Sequence, residues 1–240
     1  PFGECMGAVS KSVLAVFMEV EMKKIAILGG TGKEGKGLAY RWARVGYEVV
    51  IGSRSIEKAL SAATELNQLL GKEGLVGGMT NDEAAQWAEL VVLTVPFAAH
   101  REMCEAMKPY LTGKVVVDVT VPLVPPKVTK VQMPPAGSAT QEARQILGEE
   151  VEVVAAFQNI SYEHLLNDEE ILCDVLVCGS SKAARQLVLE LVEAAGMVGW
   201  DAGPIENSVV VEGMTSILIG INKQYGVQSA GIRITGVPRS

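Results

Sequence analysis

Residues 29–37 read GGTGKEGKG and follow the apolar run Ile25-Ala26-Ile27-Leu28. The stretch fits two phosphate-binding templates at once. As Gly30-x-Gly32-x-x-Gly35 it is a dinucleotide-binding turn, whose chemistry is hydride transfer. As Gly30-x-x-x-x-Gly35-Lys36 it is most of a P-loop, whose chemistry is phosphoryl transfer. A P-loop needs a serine or threonine after the lysine because that hydroxyl ligates magnesium, and here the next residue is Gly37. Val115-Val116-Val117-Asp118 imitates a magnesium-binding strand, but an apolar strand ending in Asp is common in any parallel sheet. The dinucleotide reading therefore stands. Its glycines allow the tight turn, the close approach of a diphosphate and helix–strand packing, and the anion sits on free backbone N–H groups at the helix start. Lys36 then lies in the first turns of that helix and is expected to face solvent.

The end of the second strand decides which dinucleotide is preferred. A site for NAD usually carries Asp or Glu there, bonded to the ribose 2′-hydroxyl. This chain has Gly52-Ser53-Arg54-Ser55, with Lys58 a turn further on. A carboxylate would repel a 2′-phosphate, whereas Ser53 and Arg54 can bond it and Lys58 adds charge. NADP(H) is the expected cofactor.

Other reactive side chains offer little. The histidines are His100 and His164. His100 follows the Val95-Pro96 loop and could approach a cofactor, but it reads first as a helix-surface residue. His164 and Asp168-Glu169-Glu170 read as solvated. The four cysteines, Cys5, Cys104, Cys173 and Cys178, are too few and scattered for a disulfide framework or a metal site. Reduced thiols in a cytoplasmic protein are the expectation, with no metal.

The elements that must position these residues alternate along the chain. Strands are expected over 24–28, 47–51, 90–95, 114–119, 152–157, 174–178 and 197–201, and helices over 33–45, 56–70, 81–88 (capped by Asn81), 98–107, 139–147, 183–195 and 205–221. Continuous apolar strands separated by helices predict an α/β fold, a Rossmann-type doubly wound parallel sheet buried on both faces. Between Thr120 and Ser138 stand five prolines, which exclude a regular helix or central strand. That loop is either an active-site covering or a plain connector. The last helix is apolar almost all round, so it should be buried in the core or against a second subunit.

With 240 residues, 48% hydrophobic and 20% charged, the chain suits one main domain with a small second lobe. The net charge of −7 argues against a nucleic-acid partner. No stretch approaches the roughly 20 apolar residues that span a bilayer, so no membrane partner is expected. Residues 1–21 read as an N-terminal extension, with a packed helix as the alternative, and the fold is expected to begin at Met22.

The stretches IAILGGTGKEGKGLAYRWA, VVIGSRSIEKA, VVLTVP, WDAGPIENS and SAGIRI together resemble the NADPH-dependent reductases of coenzyme F420, a deazaflavin. The resemblance runs from about Met22 to the C-terminus. It implies an NADP-binding Rossmann domain over 22–157, a smaller C-terminal α/β lobe over 158–240, a homodimer, and hydride exchange between NADP(H) and coenzyme F420. By motif match, Thr31, Gly32, Lys33 and Glu34 would line the diphosphate, and Ser53, Arg54 and Lys58 would take the 2′-phosphate. Thr94, Val95, Pro96 and Phe97 would lie by the ribose and nicotinamide. Gln158, Asn159, Ile160, Met214 and Thr215 would contribute to the deazaflavin pocket. The match departs at Gln158 and near Val209, where some members carry histidine and arginine.

Hydride transfer between two flat heterocycles needs stacking, facing and exclusion of water rather than a protein nucleophile, so no catalytic side chain is expected. Two rival readings remain. An NADP-dependent dehydrogenase or reductase of another small substrate would want a proton donor beside the carbonyl, for which Lys223 is the sole candidate. A non-catalytic NADP-sensing module would bind the dinucleotide and turn nothing over.

Overall fold

Strand β1 (Lys24–Leu28) leads into the glycine turn and helix α1 (Lys33–Arg44), and the same alternation continues to the end of the chain. The computed structural model describes residues 24–238; the expected extension over 1–21 and Cys5 lie outside the described residues. The remaining elements are β2 (Glu48–Ser53), α2 (Ile56–Leu69), β3 (Val76–Thr80), α3 (Asn81–Trp87), β4 (Leu90–Leu93), α4 (Phe97–Met107) and β5 (Val115–Asp118). They are followed by α5 (Ala139–Leu147), β6 (Glu152–Ala155), β7 (Asp174–Gly179), α6 (Lys182–Ala194), β8 (Val198–Pro204) and α7 (Ser208–Tyr225).

All eight strands form one sheet in the order β3-β2-β1-β4-β5-β6-β7-β8. Strands β1 to β6 are parallel, and β4 is an unbroken buried LVVL. Such strands are covered on both faces because their crossovers are helices. One face packs α1, α2 and α6 around Leu38, Trp42, Leu66 and Val188; the other packs α3, α4 and α5 around Ala84, Cys104 and Ala143. The order of strand addition reverses between β1 and β4, and in such sheets the crevice beyond the carboxyl ends at that switch is where ligands bind. Among the described residues no helix is long and apolar enough to cross a membrane.

Four features differ from the sequence reading. Strand β3 carries VGGMT, whose two glycines leave too little apolar patterning to register as a strand. Strand β7 runs antiparallel to β6, because the segment between them is too irregular to make a crossover helix. Helix α3 is capped by Thr80, in a reciprocal box with Glu83, while the Asn81 side chain turns inward to accept a bond from the Gly29 N–H at 3.2 Å. Helix α7 buries Val211, Gly213, Ser216 and Leu218 but leaves Val210 63% and Ile217 57% exposed, so its apolar girth is only partly covered.

Candidate functional site

The glycine turn and the end of β4 meet at the switch point. Gly30 N–H donates to the Gly52 carbonyl at 3.1 Å, and Thr94 N–H to the Leu28 carbonyl at 3.1 Å. The turn is thereby pinned between β2 and β4. Above it opens a cleft of about 1170 Å³. Thr31, Gly32, Lys33, Glu34 and Gly35 line it together with Thr94, Val95, Pro96 and Phe97.

Another part of the lining comes from the segment after β6, whose Tyr162 ring centroid lies 4.7 Å from Lys33 Nζ. Phe157 has φ 71°, a left-handed conformation that costs a bulky residue energy and is held here by packing. Its ring is fully buried, edge-on to Trp42 with centroids 5.8 Å apart. This turn brings Gln158, Asn159 and Ile160 into the cleft lining. Gln158 Nε2 donates to the Asp118 carbonyl at 2.6 Å, leaving its buried Oε1 with no partner among the described residues. Thr215 Oγ1 donates to the Gln158 carbonyl at 2.7 Å, joining α7 to the same wall. Leu123, Pro125 and Val128 of the proline-rich loop also line the cleft, so that loop covers the site as well as connecting β5 to α5.

Helix α7 is fastened by a buried carboxylate, Glu212, that no local motif marks. Glu212 accepts from the Ala139 N–H at 2.7 Å, the Thr140 N–H at 3.0 Å and the Thr140 hydroxyl at 2.7 Å. Burial, and then the Asp118 charge, push its pKa up to about 7 against the pull of those donors. The segment after Gln158 is fastened from the other side: the buried Arg41 guanidinium donates to the carbonyls of His164, Leu165 and Glu169. Gly37 belongs to the same junction. A Cβ there would stand 2.4 Å from Leu165 Cβ, so the residue that denies the turn a P-loop hydroxyl is the one that lets α1 touch this segment.

Several residues stand elsewhere than the sequence suggested. His100 is not a surface residue: it is fully buried, with Nε2 2.7 Å from Asp118 Oδ2, because α4 turns that face toward the strand end. Lys36 does not face solvent freely; its Nζ lies 2.9 and 2.8 Å from the Glu65 carboxylate oxygens. Asp168 is exposed but ion-paired to Arg44 at 2.5 Å and bonded by the Tyr40 hydroxyl at 3.0 Å. Lys223 is exposed and lies outside the cleft lining, whereas Asn222 lies within it. Gly30 and Met214 fall outside the lining. Val209 is 36% exposed on α7. Ser53 is buried at the end of β2, Arg54 and Lys58 are exposed beside it, and Lys58 shares a shallow groove with Thr31.

Residues 24–122 match a family model described as NADP oxidoreductase, coenzyme F420-dependent. The F420-dependent NADP reductase of Methanocaldococcus jannaschii is 38% identical over 222 residues, covering 89% of this chain and 99% of the relative. That of Methanothermobacter marburgensis is 40% identical over 222 residues, covering 90% and 99%. A solved structure from an Arthrobacter species superposes with TM-score 0.74 at 26% identity, covering 89% of this chain and 99% of that one. A pyrroline-5-carboxylate reductase from Coxiella burnetii, TM-score 0.55 at 18% identity over 86% of this chain and 72% of that one, shares the fold alone.

Proposed function

The chain belongs to the family of coenzyme F420-dependent NADP oxidoreductases, and from that premise we propose how its cleft serves hydride exchange. The protein transfers a hydride between NADP(H) and the deazaflavin coenzyme F420. When bound, the two cofactors supply the redox chemistry itself, one ring giving the hydride and the other taking it. What this chain's residues do is bind, face the rings and keep water out.

The observation that carries the reading is that the glycine turn and the Gln158–Ile160 wall line one continuous cleft, where two flat ligands can stack. Two features fit an NADP half. A Cβ on Gly32 would meet nothing within 4 Å, which leaves the turn open for a diphosphate at the α1 N-terminus. Ser53, Arg54 and Lys58 stand where a 2′-phosphate would lie. On the other side, the unpartnered Gln158 Oε1 supports a polar ring edge as its ligand. In this assignment residues 22–157 serve NADP(H) and 158–240 serve the deazaflavin, with Ile160 and Thr215 against the second ring and Met214 behind it. The test is an absorbance assay with NADPH and purified F420, run beside flavin mononucleotide. Bleaching of F420 alone is expected; bleaching of neither acceptor would send the chain back to NADP binding without turnover.

Glu34 adds a pH dependence. It is half-buried at the α1 start, and burial pushes its carboxyl up to about 8. A diphosphate placed there would raise it further, so binding takes up protons and affinity falls as pH rises through about 8. A 2′-phosphate is already dianionic over most of that window, since its second pKa is near 6. NADPH titrations between about pH 7 and 9.5 should show the decline in the wild type and a flat profile in Glu34→Gln. A parallel decline in the variant removes Glu34 from the diphosphate site.

Helix α7 exposes Val210, Ile217 and Ile221 on one flank, which supports a homodimer through that helix. Light scattering tests it, a monomer mass being the contrary result. Cys104, Cys173 and Cys178 are buried free thiols, as a reducing cytoplasm leaves them, and cell fractionation tests that location.

A further inference from the structure

The His100–Asp118 pair is buried in the centre of the molecule and has no part in the binding scheme above. Asp118 ends β5, between β4 and β6, directly beneath the cleft. Two residues of the cleft lining, Thr120 and Gln158, bond it directly, and a third, Phe97, reaches it through His100. Asp118 Oδ1 accepts from the Thr120 N–H at 3.0 Å, its backbone carbonyl accepts from Gln158 Nε2 at 2.6 Å, and its Oδ2 meets His100 Nε2 at 2.7 Å. His100 in turn stacks on Phe97, centroids 6.2 Å apart and planes 27° apart. Phe97, Thr120 and Gln158 all face the cleft.

Stability alone is a poor reason for such a pair. A buried ion pair is often no better than apolar residues of the same volume, and His100 Nδ1 is left without a partner among the described residues, which adds a cost. What the pair supplies is alignment, because a short bond between two buried, charge-bearing groups has one geometry. We propose that His100 and Asp118 are positioning residues for hydride transfer, holding Phe97, Thr120 and Gln158 in one frame and so setting the floor against which the nicotinamide lies. The proposal rests on the function above. Burial pulls the imidazole pKa down, but the Asp118 carboxylate outweighs it and the pKa is pushed up to about 11, so the frame persists across the working pH range.

The pair touches neither the diphosphate turn nor Arg54, so its loss should separate ring placement from affinity. The emission of bound NADPH reports the nicotinamide's surroundings, and the same titration gives the dissociation constant. In the full chain, His100→Ala should move bound emission toward that of free NADPH while changing the dissociation constant less than about 3-fold. It should also slow single-turnover hydride transfer to F420 roughly 10- to 100-fold. His100→Gln, whose amide nitrogen can still donate to Asp118, should recover to within about 3-fold of wild type in both. Should His100→Ala not fold, Asp118→Asn takes its place. That variant keeps an acceptor for Thr120 and loses the charge, so a partial loss of rate is expected and none overturns the proposal. Wild-type emission and rate in His100→Ala overturn it, and so does a rate that falls in step with NADPH affinity and is not restored by His100→Gln. A wild-type protein that binds NADPH without reducing F420 would defeat the functional reading instead, and the emission comparison would still judge the pair.

Discussion

Arg54→Asp should weaken NADPH binding roughly 100-fold and leave NADH within about 3-fold of its wild-type affinity. The first part follows from what a 2′-phosphate would meet at the end of β2. Ser53 is buried there, its Oγ accepting from the Ser55 N–H at 3.3 Å, which fixes the turn. Arg54 stands exposed beside it, and Lys58 lies in the first turn of α2. The nearest acid in sequence, Glu57, lines the same groove as Lys58 and accepts from the Ser55 hydroxyl at 2.6 Å. A charge-assisted bond from Arg54 is worth about 1.5–3 kcal/mol, and a carboxylate in its place adds repulsion. NADH lacks the 2′-phosphate but keeps the diphosphate, so the comparison isolates the 2′ group. Nicotinamide fluorescence titrations with both dinucleotides measure it, and raising the salt should shrink the difference because the site is exposed. Equal losses for NADH and NADPH would sink the 2′-phosphate assignment.

The second large effect separates two glycines of one turn. A Cβ on Gly35 would lie 2.6 Å from Gly30 Cα and 2.8 Å from both the Gly30 carbonyl oxygen and Thr94 Oγ1. Two of these are backbone atoms, which have no rotamer to yield. Gly35→Ala should therefore cost about 1–3 kcal/mol by overpacking, a melting temperature lower by roughly 3–10 °C, and should abolish NADPH binding because the turn must open. Gly32→Ala is the contrast. Its Cβ meets nothing in the protein, so the melting temperature should stay within about 1 °C, while NADPH affinity falls at least about 10-fold as the methyl stands in the ligand's space. Thermal melts with dinucleotide titrations decide the matter. A Gly32→Ala protein with full affinity would mean that the diphosphate does not lie over that residue.

Much of the nucleotide side was legible in the chain itself. Its signals are local: an apolar strand, glycines at fixed offsets and a basic turn at the next strand end all fall within one βαβ unit. The far wall was harder to read because its order is made of contacts distant in sequence. Nothing near Gln158 announces that Arg41 holds the three carbonyls that follow it, and nothing near Val209 announces that Glu212 will be buried against Thr140. His100 misled for a related reason. A histidine within an α-helix reads as exposed unless its partner is known, and Asp118 arrives only with the next strand. The glycines of β3 concealed a strand outright, since a sequence pattern records side chains and a sheet edge is held by its backbone.

The reversed pairing of β7 on β6 has a consequence for how the protein is made. Reversal brings the start of β7 rather than its end to the far side of the cleft, and the C-terminal segment comes back to meet it. Asp174 N–H donates to the Ile232 carbonyl at 2.8 Å, and Ile234 N–H donates to Asp174 Oδ2 at 2.7 Å. Val227, Gln228 and Ala230 line the cleft just before that junction. On the ribosome, then, the glycine turn and its strands emerge long before the cleft has a second wall. The residues that close it are made after both the glycine turn and the Gln158 segment.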